Sequence, residues 1–166
     1  MMSARELAHQ RFMEFVAAFY RAAECELGYF ASDPDSPIAF DVQIDGVKVT
    51  VGYDPSAGDA NLFAYCIFGA APAHEEAAVL RRLLERNFGL AREHDATYCI
   101  DGKTLEVACY LRRSTTVSDV AAFREQLVHM ARQALQWRQA YFLDEPDGRR
   151  AEGADDASLA PWSMFA

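Results

Sequence analysis

The chain has 166 residues, 51% of them apolar, with 11 phenylalanines and 7 tyrosines, and a formal charge of −9. That length suits one domain with a real core, and the apolar content excludes disorder throughout. The acidic balance argues against a nucleic-acid binder, which needs basic surface to replace counterions, and no apolar run is long enough to span a bilayer as a helix.

The start, MMSARELAHQRFMEF, lacks the apolar core of a signal peptide, so the chain reads as cytoplasmic. Cys25, Cys66, Cys99 and Cys109 agree: they lie far apart among apolar neighbours, in the manner of reduced, buried thiols rather than zinc ligands. A first helix is expected from about Ala4 to Glu26, opened by the capping-box spacing of Ser3 and Glu6 and carrying Phe12, Phe15, Val16, Phe19 and Ala23 on one face. Phe40, Val42 and Ile44 then alternate with polar residues, Asp45-Gly46 signals a tight hairpin, and Val47, Val49, Val51 and Tyr53 continue beyond it. Leu62 to Phe68 is apolar on both faces and reads as a central strand.

Pro72 is expected to open a second helix whose stripe is Ala77, Leu80, Leu83, Leu84 and Phe88. Two further strands, about Thr97 to Ile100 and Leu105 to Arg112, flank the turn at Asp101 to Thr104. Thr116 and Asp119 have capping-box spacing before a long helix with the seam Val120, Phe123, Leu127, Met130, Ala134, Trp137 and Tyr141. From Asp144 periodicity stops. The chain therefore divides into a body over 1–143 and an acidic, flexible tail over 144–166, which carries six acids and two bases and ends in Pro161-Trp-Ser-Met-Phe165. The order helix, three strands, helix, two strands, helix makes an α+β domain with a mostly antiparallel, twisted sheet packed with helices.

Motifs for chemistry are missing: there is no glycine-rich phosphate loop, no G-x-S-x-G and no H-E-x-x-H. No catalytic residue, metal site or cofactor is expected. His94-Asp95 reads as a solvated loop pair, and Arg81, Arg82 and Arg86 as the charged face of a helix with Arg81 paired to Glu85. The informative group is Phe63, Tyr65 and Ile67, with Ala108 and Tyr110. They alternate with residues that are already apolar. Either helices cover both faces of the sheet, or the second apolar face meets another chain.

Several stretches resemble the type III secretion chaperones of the Tir-chaperone family. AVLRRLLERNFGL, Ala78 to Leu90, is similar to the family's second helix. FAYCIFGAAP is similar to its apolar third strand, and IAFDVQIDGVKVTVGYD, ATYCID and the helix ending in Gln136-Trp137 extend the match over roughly Phe12 to Tyr141. Glu93-His94-Asp95 replaces a glycine pair that often precedes the fourth strand. The resemblance implies a small acidic homodimer in the cytoplasm of a Gram-negative bacterium. Such a protein has no catalytic activity and holds an extended N-terminal segment of a secreted effector until the export apparatus, including its ATPase, takes it. An unfolded segment can add to a strand edge, and Phe15, Phe19, Phe40 and Val42 are the expected effector groove. Leu80, Leu83, Leu84 and Phe88, with Tyr98 and Tyr110, are the expected dimer seam. A dimeric binding or regulatory module without a secretion role is an alternative on the same scaffold, and a small enzyme a third.

Overall fold

The computed structural model describes residues 3–24, 33, 35–58, 61–93, 96–114, 119–143 and 162–165. Helix α1 spans Ala4–Ala22 and is followed by strands β1 (Ile38–Ile44), β2 (Val47–Tyr53) and β3 (Leu62–Ala70). Helix α2 (Glu76–Glu93), strands β4 (Ala96–Ile100) and β5 (Glu106–Arg113) and helix α3 (Val120–Ala140) come next, and β6 (Trp162–Phe165) is the last described element. The sheet is antiparallel, in the order β4-β5-β3-β2-β1-β6. The predicted α+β order is present, with a sixth strand added by the tail.

Local chemistry explains the elements. The Ser3 hydroxyl accepts from the Glu6 amide at 3.2 Å while the Ser3 amide donates to the Glu6 carboxylate at 2.6 Å, the reciprocal capping box. Asp45 and Gly46 both take positive φ, 51° and 75°, as a two-residue turn matched to strand twist requires. Two helix starts differ from expectation. Pro72 to Glu75 form a separate turn, with the Glu75 amide donating to the Pro72 carbonyl at 3.0 Å, and α2 begins only at Glu76. Helix α3 is capped by Asp119, whose side chain accepts from the Ala122 amide at 2.9 Å; Thr116 lies outside the described residues.

Among the described residues, the three helices pack on one face of the sheet. Helix α3 lies against β1, β2 and β3, α1 against α3, and α2 against β4. Phe123 of α3 meets Phe15 and Phe19 of α1 at ring-centre distances of 5.3 and 6.2 Å, and Phe12 stacks on Tyr53 of β2 at 5.1 Å. Arg124 donates to the Ala22 carbonyl at 2.7 Å and so ties α3 to the exposed end of α1. At the far end, Tyr141 and Phe142 take successive left-handed conformations, φ 51° and 61°. This turn carries Phe142 back into the core against Phe68, Tyr98 and Trp137, with the Arg86 guanidinium 3.9 Å from its ring centre.

Candidate protein-binding surfaces

Strand alternation divides β3 cleanly. Leu62, Ala64, Cys66 and Phe68 are buried beneath the helices, while Phe63, Tyr65 and Ile67 are half-buried on the opposite face. Among the described residues no helix lies on that second face, so the two-sided cover that the sequence left open is not built within this part of the chain. Its aromatics lean on one another: Phe63 stacks on Tyr65 at 6.4 Å and on Tyr110 of β5 at 6.3 Å. Gly52 makes room for this. It pairs with Phe63 across the sheet, and a Cβ there would lie 2.6 Å from the Ile38 carbonyl oxygen and run into the Phe63 ring.

Polar groups frame the aromatic patch. Arg112 donates to the Tyr110 hydroxyl at 3.0 Å and reaches Asp54 at 3.5 Å, while Lys48 and the Thr50 hydroxyl hold Asp41 at 3.3 and 2.7 Å. Hydrogen bonds from Ser56 keep the Asp54 carboxyl below its ordinary range. A cleft of about 270 Å³ opens beside the patch, lined by Lys48, Thr50, Tyr65, Ile67, Glu106 and Arg138 among others.

A second surface is the outer side of α2. Leu84 and Phe88, one turn apart, are 70% and 73% exposed. Ile100 and Leu105, at the two ends of the β4–β5 connection, are also exposed. The other expected seam residues separate from this pair. Leu83 turns inward with Val79, Leu80 is half-buried, and Tyr110 stands on the open sheet face. Tyr98 is buried, its hydroxyl donating to Gln133 at 2.9 Å beside Arg86, which donates to the same oxygen at 2.7 Å. Tyr98 and Leu83 are therefore core residues of the protomer and offer no seam.

The expected effector groove is also corrected. Phe15, Phe19, Phe40 and Val42 are 5%, 0%, 3% and 0% exposed. The apolar face of α1 and that of β1 turn toward each other, with Phe19 6.1 Å from Phe40, and α3 closes over both. Alternation identified an apolar face but could not tell that a third element covers it.

The two margins of the sheet differ. On β4, the Asn87 side chain accepts from the Tyr98 amide at 2.7 Å and donates to the Tyr98 carbonyl at 3.0 Å. One amide thus does the work of a strand partner, and α2 caps this edge. At the other margin, β6 pairs with β1. The Asn87 cap was not singled out from the sequence; the tail aromatics were, but within a stretch read as a flexible tail. Asn87 sits in the helix that carries the resemblance, but its role depends on which strand lies beneath it.

Two of the thiols are buried in the core. Cys66 and Cys109 face each other across β3 and β5 as free, buried cysteines, and burial pushes both up to about 12 from the ordinary 9.0. Cys99 departs from expectation: it is exposed on the open face; Cys25 lies outside the described residues. Below pH 9 the buried thiols carry their protons in both folded and unfolded chains. Between pH 9 and 12 only the unfolded chain releases them, so stability falls as pH rises through that window. Urea midpoints measured from pH 8 to 11 should show this fall, and Cys66→Ala with Cys109→Ala should flatten it. An unchanged slope in the double variant sinks the assignment.

Among the described residues, no three His, Cys, Asp or Glu side chains gather as a metal site, and no helix is long and apolar enough to cross a membrane. The fold is similar to that of a chain in the HopA1–SchA chaperone–effector complex, with a TM-score of 0.60 at 12% identity, covering 81% of this chain and 98% of that one. A chain of the ExsC–ExsE complex gives a TM-score of 0.57 at 15% identity, covering 82% of this chain and 98% of that one. At these identities the likeness concerns the fold. No curated protein sequence matches the chain. The model of the Tir chaperone protein (CesT) family matches residues 14–138, from within α1 almost to the end of α3, and the chain belongs to that family.

Proposed function

We propose that the protein is a type III secretion chaperone. It binds an extended N-terminal segment of a secreted effector in the bacterial cytoplasm and keeps that segment soluble and export-competent without catalysis. The observation that carries this reading is the open sheet face. Phe63, Tyr65 and Tyr110 form an aromatic patch on a sheet otherwise covered by helices, and such patches mark interaction surfaces. An extended client lays alternate side chains on such a face and offers its backbone to a strand edge. Membership of the chaperone family supports the same reading, and both similar folds come from complexes.

The exposed pair Leu84 and Phe88 is assigned to a homodimer seam, which leaves the sheet face to the client. The secretion ATPase is the expected recipient of the loaded complex. Calorimetry with N-terminal segments of effectors secreted by the same bacterium, alongside light scattering, tests both parts. The parent should be a dimer that binds at least one segment. Tyr65→Glu should lose binding and remain a dimer, and Leu84→Glu should become a folded monomer. If no segment binds the parent, the chaperone reading fails. A parent that is monomeric at micromolar concentration removes the seam.

A further inference from the structure

The sheet forks between β2 and β3. Their register runs from Tyr53 opposite Leu62 to Thr50 opposite Tyr65 and ends there, while β2 stays paired with β1 down to Val47 and β3 with β5 as far as Ala70. A bulge helps to part them. Ile67 faces Ala108 and Gly69 faces Val107, so Phe68 is an extra residue on β3, and Gly69 takes a φ of 114°. The cleft of about 270 Å³ lies in this fork. Lys48 and Thr50 line it from β2, Tyr65 and Ile67 from β3, Glu106 from β5 and Arg138 from α3. We propose that this cleft is an anchor pocket for the bound segment: it takes one large apolar side chain, and Arg138 selects a carboxylate two positions away along the same extended strand. The proposal rests on the chaperone reading for the identity of that segment and adds to it a rule for which segments fit.

Three observations support it. The first is size. Pockets for drug-sized ligands begin at about 300 Å³, so this cleft suits one side chain rather than a separate small molecule. The second is the lining. Tyr65 and Ile67 are half-buried on the open face, where an extended segment lays its alternate side chains. Phe68 backs them and is fixed in the core, 3% exposed with its ring centre 6.2 Å from that of Trp137. The third is charge. Lys48 is held by Asp41 at 3.3 Å, and Asp41 also accepts from the Thr50 hydroxyl at 2.7 Å, so this cation is already matched. Among the described residues Arg138 takes part in no ion pair, and neither does Glu106. Arg138 is therefore the cation left for a partner's carboxylate. Glu106 repels a carboxylate on the β5 side of the cleft, so the pocket discriminates by direction as well as by sign. Side chains two positions apart on a strand point the same way, about 7 Å from one another, which sets the spacing of anchor and acid.

Capped tripeptides serve as probes, so the test needs no effector. N-acetyl-Leu-Ala-Glu-amide and N-acetyl-Leu-Ala-Lys-amide, and the same pair with the order reversed, are titrated into the isotope-labelled full-length protein and followed by amide chemical shifts. Shifts should centre on Thr50, Ile67 and Gly69. The better-fitting glutamate peptide should bind about fivefold more tightly than its lysine counterpart, the scale of one exposed ion pair. Arg138 is exposed, so Arg138→Glu should keep the parent's urea midpoint and reverse the preference. Ile67→Trp, which fills the cleft from its own wall, should weaken all four peptides. Shifts centred elsewhere, equal affinity for both charges, a preference unchanged in Arg138→Glu, or full binding to Ile67→Trp overturns the proposal, as does failure of every peptide to bind the parent. The chaperone reading fails separately. An effector segment that binds the parent, Arg138→Glu and Ile67→Trp alike keeps that reading and removes the pocket, whereas a parent that binds the glutamate peptide and no effector segment keeps the pocket and removes that reading.

Discussion

Phe19→Ala should cost about 3 to 5 kcal/mol, the range for emptying a phenylalanine site in a packed core. Phe19 is 0% exposed and packs against Phe15, Phe40 and Phe123 at 6.3, 6.1 and 6.2 Å. These partners come from α1, β1 and α3, so the cavity would open where three elements meet. None of them can close it without moving backbone. A domain of this size has about 5 to 15 kcal/mol in total, so the variant loses a large share of its stability. Urea unfolding followed by far-UV circular dichroism gives the number. The result also separates two pictures of this region. A groove that waits for a client would lose little on truncation, because its side chains are wet in the free protein. A cost below about 1 kcal/mol would therefore return Phe15, Phe19, Phe40 and Val42 to the surface and overturn the packing described here.

Sequence patterns located what short-range chemistry decides. Asp45-Gly46 forces its hairpin because few other pairs accept two positive φ values in succession, and Ser3 with Glu6 fixes the start of α1 from within one turn. The apolar seam of α3 and the double-faced β3 were legible for the same reason. What periodicity cannot supply is which face of an amphipathic element is covered, and by what. Phe40 and Val42 looked like groove residues and Phe63 like a residue under a helix or another chain; only the position of α3 distinguishes them. Pro72 was read as a helix start because it fits the first turn of a helix, but the same residue opens the turn before α2. The tail aromatics stood out, but that they form a strand was not legible. Four residues after an aperiodic acidic stretch carry no alternation to detect, and their partner lies more than 100 positions away in the chain.

Asn87→Ala should destabilise the protein and expose a sheet edge at the same time. Removing the side chain deletes both the bond from the Tyr98 amide at 2.7 Å and the bond to its carbonyl at 3.0 Å. Tyr98 is 5% exposed, so water reaches these groups poorly, and losing both partners should cost about 1 to 3 kcal/mol. Asn87→Asp keeps the acceptor but loses the donor and sets a charge against the Tyr98 carbonyl, so it should cost at least as much as alanine. The second effect follows from position. β4 ends the sheet, and its backbone is capped here by one side-chain amide rather than by a strand. Uncapped, it becomes a template for edge-to-edge pairing beside the exposed Ile100. Light scattering as a function of concentration should then show self-association beyond the parent's state. Leu84→Glu combined with Asn87→Ala distinguishes this from the α2 seam, because edge pairing survives the glutamate and seam pairing does not. An unchanged urea midpoint together with unchanged scattering would mean that Asn87 caps nothing, and that α2 holds β4 through Val79 and Leu83 alone.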